Sequence, residues 1–181
     1  MSKLSESKLK KCLRAASKES LEEIICALYQ SNDLSKQYIN MRFNAEEYAA
    51  ELVDTYQKKI NRCFPLSVYR DCKIAEAHRA VKELVKLHVS PEITLDIMLY
   101  FVESGNEYTQ TFGDIDEQFY DTLLKVYDQF VEMLNAQEDD TAYTRLRDRI
   151  DDLVRNSENI GWGYSDGIIE ISGAIGWKED E

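Results

Sequence analysis

The sequence predicts an all-α protein of about eight or nine helices, packed as antiparallel hairpins around a central apolar helix near residues 91–104. Three observations carry that reading. Only 7 Gly and 2 Pro punctuate 181 residues, too few for the turns of a many-stranded sandwich. Apolar residues make up 44% of the chain, with 11 Tyr and 6 Phe, which at this length is enough to bury a core. Those apolar residues recur at spacings of three and four, the helical period.

The elements follow in order. Ser5 or Ser7 caps a first helix to about Ala16, with Leu9, Cys12 and Leu13 inward. Ser17 or Ser20 opens the second; Ser20 and Glu23 have capping-box spacing, and Leu21, Ile24, Ile25, Leu28 and Tyr29 form its inner face. A third, shorter helix covers Asp33–Arg42. Asn44 caps a long fourth, with Tyr48, Leu52, Val53, Tyr56 and Ile60 on one side, and Pro65 ends it or its turn.

A fifth helix spans about Tyr69–His88, its stripe being Ile74, Ala77, His78, Val81, Leu84, Val85 and His88. Ser90-Pro91 is an N-cap with proline at the first helical position. From Ile93 to Val102 only Thr94 and Asp96 are polar, so this helix is surrounded by others and forms the axis of the fold. A seventh helix runs from about Asp116 to Asn135 and an eighth presents Tyr143, Leu146, Ile150 and Leu153. Gly161–Gly163 turn the chain into a last short helix bearing Ile168, Ile171 and Ile175. An offset of 71 residues aligns Tyr48, Leu52 and Tyr56 with Phe119, Leu123 and Tyr127; a shared amphipathic period explains this, and stacked solenoid hairpins are the alternative.

Charge divides what reads as a single domain over 1–181 into a basic N-terminal part, about 1–64, and an acidic C-terminal part, about 90–181. Residues 1–91 hold 16 Lys/Arg against 12 Asp/Glu, a net of +4, and residues 92–181 hold 6 against 22, a net of −16. A half that acidic repels phosphate backbones and argues against nucleic acid as a partner. The basic opening instead suits an acidic protein partner or self-association. No apolar run reaches the ~20 residues of a bilayer span. The opening MSKLSESKLKK lacks a signal-peptide core, so the cytoplasm is the default location and no membrane partner is expected. Cys12, Cys26, Cys63 and Cys72 lack metal or redox spacing and read as buried free thiols.

The chemistry-bearing residues concentrate in 96–120, DIMLYFVESGNEYTQTFGDIDEQFY. Gly113 closes a helix, and either Asp114 (with Glu117) or Asp116 (with Ile115 stapled onto Tyr120) caps the next. Glu103 and Glu107, four apart on one face, repel each other by a few tenths of a kcal/mol and have no capping role. Carboxylates at Glu103, Glu107, Asp114 and Asp116 could converge on a hard divalent cation, the single cofactor the pattern admits. Against that stands a solvated acidic rim, or a dock for Arg145 or Arg147. His78 and His88 fit no metal motif, and His78 reads as a hydrogen-bonded core histidine. The tyrosines suit helix seams with wet edges, and Trp162 and Trp177 suit a pinned tail. No nucleophile elbow, Cys/His pair or phosphate loop is present, so no catalytic residue is assigned.

The segments LKKCLRAASKESLEEIICALY, SPEITLDIMLYFVESGNEYTQTFGDIDEQFY and IGWGYSDGI resemble an uncharacterised family of small bacterial helical proteins. The resemblance covers most of the chain. It implies an all-helical fold and a bacterial cytoplasmic protein, and it brings no activity or site residue with it. Taken together, the sequence points to a non-enzymatic interaction or scaffold protein that uses its acidic half as contact surface. The alternative is a divalent-metal or small-ligand binding protein, a hydrolase among the options, centred on the acidic cluster at 103–117.

Overall fold

Helix caps and apolar spacing set the element order in the computed structural model, which describes residues 3–67 and 72–177. Among the described residues there are nine helices and no strand. The chain divides into two compact units, Met1–Ala45 and Glu46–Glu181.

The first unit holds α1 (Glu6–Ala15), α2 (Lys18–Ser31) and α3 (Asp33–Phe43). Side-chain oxygens start all three. Ser5 Oγ accepts from Lys8 N, Ser17 Oγ from Ser20 N at 3.2 Å, and Asn32 Oδ1 from Ser35 N at 2.9 Å. Ser17, rather than the Ser20–Glu23 pair, is the cap of α2. α2 packs on α3, and the Tyr29 hydroxyl donates to Asn40 Oδ1 at 3.2 Å. Here the expected inner faces do not close. Leu9, Cys12, Ile24, Ile25 and Leu28 are exposed, Leu13, Leu21 and Tyr29 are half-buried, and Gln37 is the one buried residue among those described in this unit. Three short helices alone offer too little facing surface to cover their own apolar stripes.

The second unit holds α4 (Ala45–Asn61), α5 (Ile74–Lys86), α6 (Pro91–Phe112), α7 (Glu117–Asn135), α8 (Thr141–Ser157) and α9 (Tyr164–Gly173). The predicted stretch Tyr69–Asp71 of the fifth helix lies outside the described residues. α6 is the axis, as its all-round apolar sequence requires, and packs against α5, α7 and α8. Ser90 Oγ accepts from Ile93 N with Pro91 in the first turn, and Gly113, at φ +88°, closes the helix. Gly105 in mid-helix lets α7 approach closely: a Cβ there would lie 2.5 Å from Leu123 Cδ2, which would have to shift. Phe64, Phe101, Tyr108 and Phe119 form an aromatic cluster with Phe64 at its centre, centroids 5.9–6.3 Å apart. α9 covers α7 and α8.

Several expectations change once neighbours are known. Tyr56, Tyr108, Tyr120, Tyr127 and Tyr164 are fully buried rather than at wet seams. Tyr127 reaches Ser172 Oγ at 2.6 Å, which lets its hydroxyl enter the core. His78 is half-buried against Phe101, and its Nε2 is buried without a hydrogen-bond partner. Val85 ends the α5 stripe exposed, and His88, expected on that stripe, lies beyond the helix, exposed and left-handed at φ +50°. Of the four thiols, Cys12 and Cys26 are exposed, Cys72 is half-buried and only Cys63 is buried. Trp177 pins its segment through Nε1 to the Leu134 carbonyl, whereas Trp162, left-handed at φ +61°, stacks on Tyr120 and stays 58% exposed.

Candidate functional site

The site begins with two polar ladders facing each other across α6 and α8. On α6, Asp96 and Glu103 lie two turns apart on the flank of an otherwise apolar helix, followed by Asn106, Glu107 and Gln110. On α8, Arg145 and Arg149 lie one turn apart, followed by Asp152 and Asn156. The helices run parallel, because Asp96 meets Arg145 while the carbonyl of Asn156 meets Asn106.

Arg149 is the hub. Its Nε and Nη2 donate to the two oxygens of Glu103 at 2.9 and 2.6 Å, and its Nη1 donates to Asp96 Oδ1 at 2.8 Å. Arg145 Nη1 reaches the other oxygen of Asp96 at 2.7 Å. Burial works against the charge of Arg149, but the hydrogen bonds and charges of Glu103 and Asp96 outweigh it and hold its pKa above the ordinary value. Further along, the amides of Asn106 and Gln110 both donate to the Asn156 carbonyl, an orphan acceptor at the end of α8.

Beside the hub lies a cleft of about 350 Å³. Glu103, Asn106, Glu107 and Gln110 line one wall, at the i, i+3, i+4, i+7 spacing of a helical face. Arg149, Asp152, Leu153 and Asn156 repeat that spacing on the other wall.

The four carboxylates singled out in the sequence have separate fates. Asp116 caps α7, accepting from Phe119 N at 2.8 Å. Asp114 lies 3.5 Å from the Tyr120 hydroxyl, which also meets Thr109 Oγ1 and accepts from Ile115 N. Glu103 is held by Arg149, and Glu107 stands exposed on the cleft wall. Among the described residues no group of three or more His, Cys, Asp or Glu side chains could hold a metal ion. Of the arginines proposed as docks, Arg145 serves Asp96 and Arg147 pairs with Asp151 at 3.9 Å. Arg149, Asn106 and Gln110 escaped the sequence reading. For Arg149 the signal that could have found it was the phase match: Asp96 and Glu103 at i, i+7 against Arg145 and Arg149 at i, i+4; the two amides gave none.

Fold and site define a small all-α protein whose central helix carries an arginine-bridged acidic cleft. The chain belongs to the family of unknown function DUF6155, whose match covers residues 1–166 and so includes the whole cleft. No curated protein and no solved structure matches it. No helix among the described residues is long and apolar enough to cross a membrane.

Proposed function

We propose that this is a non-enzymatic protein–protein interaction protein, which docks a partner helix on the apolar face of α2 and α3. One observation carries the reading. Ile24, Ile25, Leu28, Leu34, Tyr38 and Phe43 are 42–81% exposed within two consecutive helices. Single exposed apolar residues are ordinary, but six on two adjoining helices, with Ile24, Ile25 and Leu28 on one side of α2 and Leu34 and Tyr38 on one side of α3, have the composition of an interface core. Covering one such side chain contributes about 1.5–3 kcal/mol, so a few would support specific docking.

The net charge of the unit that carries this face sets the partner's chemistry. Residues 1–45 carry 8 Lys/Arg against 5 Asp/Glu, and Lys8, Lys10, Lys11 and Arg14 lie exposed along α1. The complementary occupant is an amphipathic helix of a second protein with acidic flanks. Among the described residues of the acidic half, the contact surface expected from charge alone, the exposed large apolar side chains are Trp162 and Ile169.

The test is a photo-crosslinking amino acid at Leu28, with one at exposed Glu132 of α7 as control, in cells that make the protein. The expected product is an adduct at Leu28 alone, on a partner segment with an apolar face and acidic flanks, lost in Ile24→Glu. Adducts equal at both positions, none at all, or only to a second copy of this chain would overturn the reading.

A further inference from the structure

We propose that the cleft between α6 and α8 binds a cationic amine or guanidinium, whose N–H groups donate to Asn106 and whose charge is met by Glu107 and Asp152. This site lies wholly within the second unit and does not depend on the docking face of α2 and α3.

Asn106 supplies the directional part of the argument. Its side chain lines the cleft yet is only 3% exposed. Nδ2 donates to the Asn156 carbonyl at 3.2 Å, and a flipped amide would set two acceptors against each other, so the orientation is fixed. Oδ1 is then left buried with no partner. An open buried acceptor costs about 1–3 kcal/mol, which a donor entering the cleft would recover. The two other buried polar atoms without partners, His78 Nε2 and Tyr164 Oη, belong to side chains that do not line it.

Charge supplies the rest. Three carboxylates and one guanidinium line the cleft, a net of −2 that favours a cation over an anion. Glu103 is committed to Arg149, and Asp152 shares its charge with exposed Arg155. Glu107 has no ion-pair partner among the described residues. Leu153, 2% exposed, gives the wall an apolar stretch for a methylene stem. A hard divalent ion would need several converging oxygens, and those are not assembled here. An ammonium or guanidinium needs acceptors for its several N–H groups, a nearby negative charge and an apolar flank; Asn106 Oδ1, the carboxylates of Glu107 and Asp152, and Leu153 supply these.

The experiment follows the side-chain amide resonances of Asn106 and Gln110 in the intact protein. It is titrated with putrescine, Nα-acetyl-lysine amide, tetramethylammonium or magnesium at constant ionic strength. Saturable shifts are expected with putrescine, with the lysine amide or with both; the first alone marks a free amine and the second a basic side chain. Removing the Glu107 charge in Glu107→Gln, an exposed position that leaves packing untouched, weakens binding about tenfold. Asn106→Leu, checked for a cooperative melt, abolishes the response of the Gln110 amide. The proposal is overturned if tetramethylammonium or magnesium shifts the same resonances equally, if no titrant shifts them, or if Glu107→Gln binds as well as the native chain.

Discussion

The guanidinium of Arg149 lies fork to fork on the carboxylate of Glu103, 46 residues away in the chain, Nε to Oε1 at 2.9 Å and Nη2 to Oε2 at 2.6 Å, and so joins α8 to α6. This pair fixes the register of α8 on the central helix, because a bidentate contact tolerates little sliding. Arg149→Met is expected to cost about 1–2 kcal/mol, less than the 3–5 of a fully buried pair because roughly a third of each partner still meets water. Urea denaturation measures it. Adding Glu103→Gln to Arg149→Met should recover part of the loss, since one stranded charge is then gone.

Gly105 of α6 meets Leu123 of α7 where no other residue fits without movement. A methyl group there would lie 2.5 and 2.8 Å from the two Leu123 methyls, and Leu123 is fully buried. Alanine's better helix propensity returns about 1 kcal/mol, and the overpacking costs about 1–3. Gly105→Ala is therefore expected to lower the denaturation midpoint modestly, and Gly105→Val to lower it much more. Leu123→Ala made in the Gly105→Val background should cost less than Leu123→Ala alone, a non-additivity that a double-mutant cycle reads directly.

The hydroxyls of Tyr127 and Ser172 are hydrogen-bonded inside the core at 2.6 Å. Burial, opposed by that hydrogen bond and reinforced by Asp151, pushes the Tyr127 pKa up to about 12. The fold favours the neutral phenol. Its contribution is complete below an unfolded pKa of about 10 and is lost as pH rises towards 12. Tyr127→Phe is expected to cost about 1 kcal/mol near neutrality, by stranding the Ser172 hydroxyl, and to flatten the alkaline loss of stability. Denaturant midpoints measured across that pH range check both.

His78 predicts the opposite end of the scale. Burial, helped by Lys82 and Lys125, holds its pKa below 6.5, so the fold favours the uncharged ring. That stability is present above 6.5 and is lost as pH falls through the lowered pKa. Because Nε2 has no partner to lose, His78→Leu is expected to be nearly neutral at alkaline pH and to gain on the native chain under mild acid. Equal midpoint shifts at both pH values would remove this role.

Much of the fold was legible because local rules agree with one another here. Ser90-Pro91, Gly113 and Asp116 each act within a few residues, so their capping roles depend on little beyond the neighbouring sequence. The apolar run Ile93–Val102 had to be surrounded, and it is. The candidate site was half legible. Glu103 stood out as a charge without a local role, but its partner lies on another helix and depends on which faces meet. Arg149 could have been found by matching the phase of α8 to that of α6, whereas the charge phase says nothing of Asn106 and Gln110, because an amide becomes informative only when its surroundings close over one of its atoms.

By itself the sequence determined an all-helical chain, its caps, its central helix and the concentration of acid in its C-terminal half. These follow from short-range hydrogen bonding and from a period of about 3.6 residues that is the same in any context. Tertiary structure decided which amphipathic stripes found a partner. The stripes of α7 and α8 close on α6 and α9, whereas that of α2 stays open. It also decided that Glu103 answers Arg149 while Glu107 stands free beside Asn106. Periodicity tells a helix that it has an inner face, and only packing tells it what that face will meet.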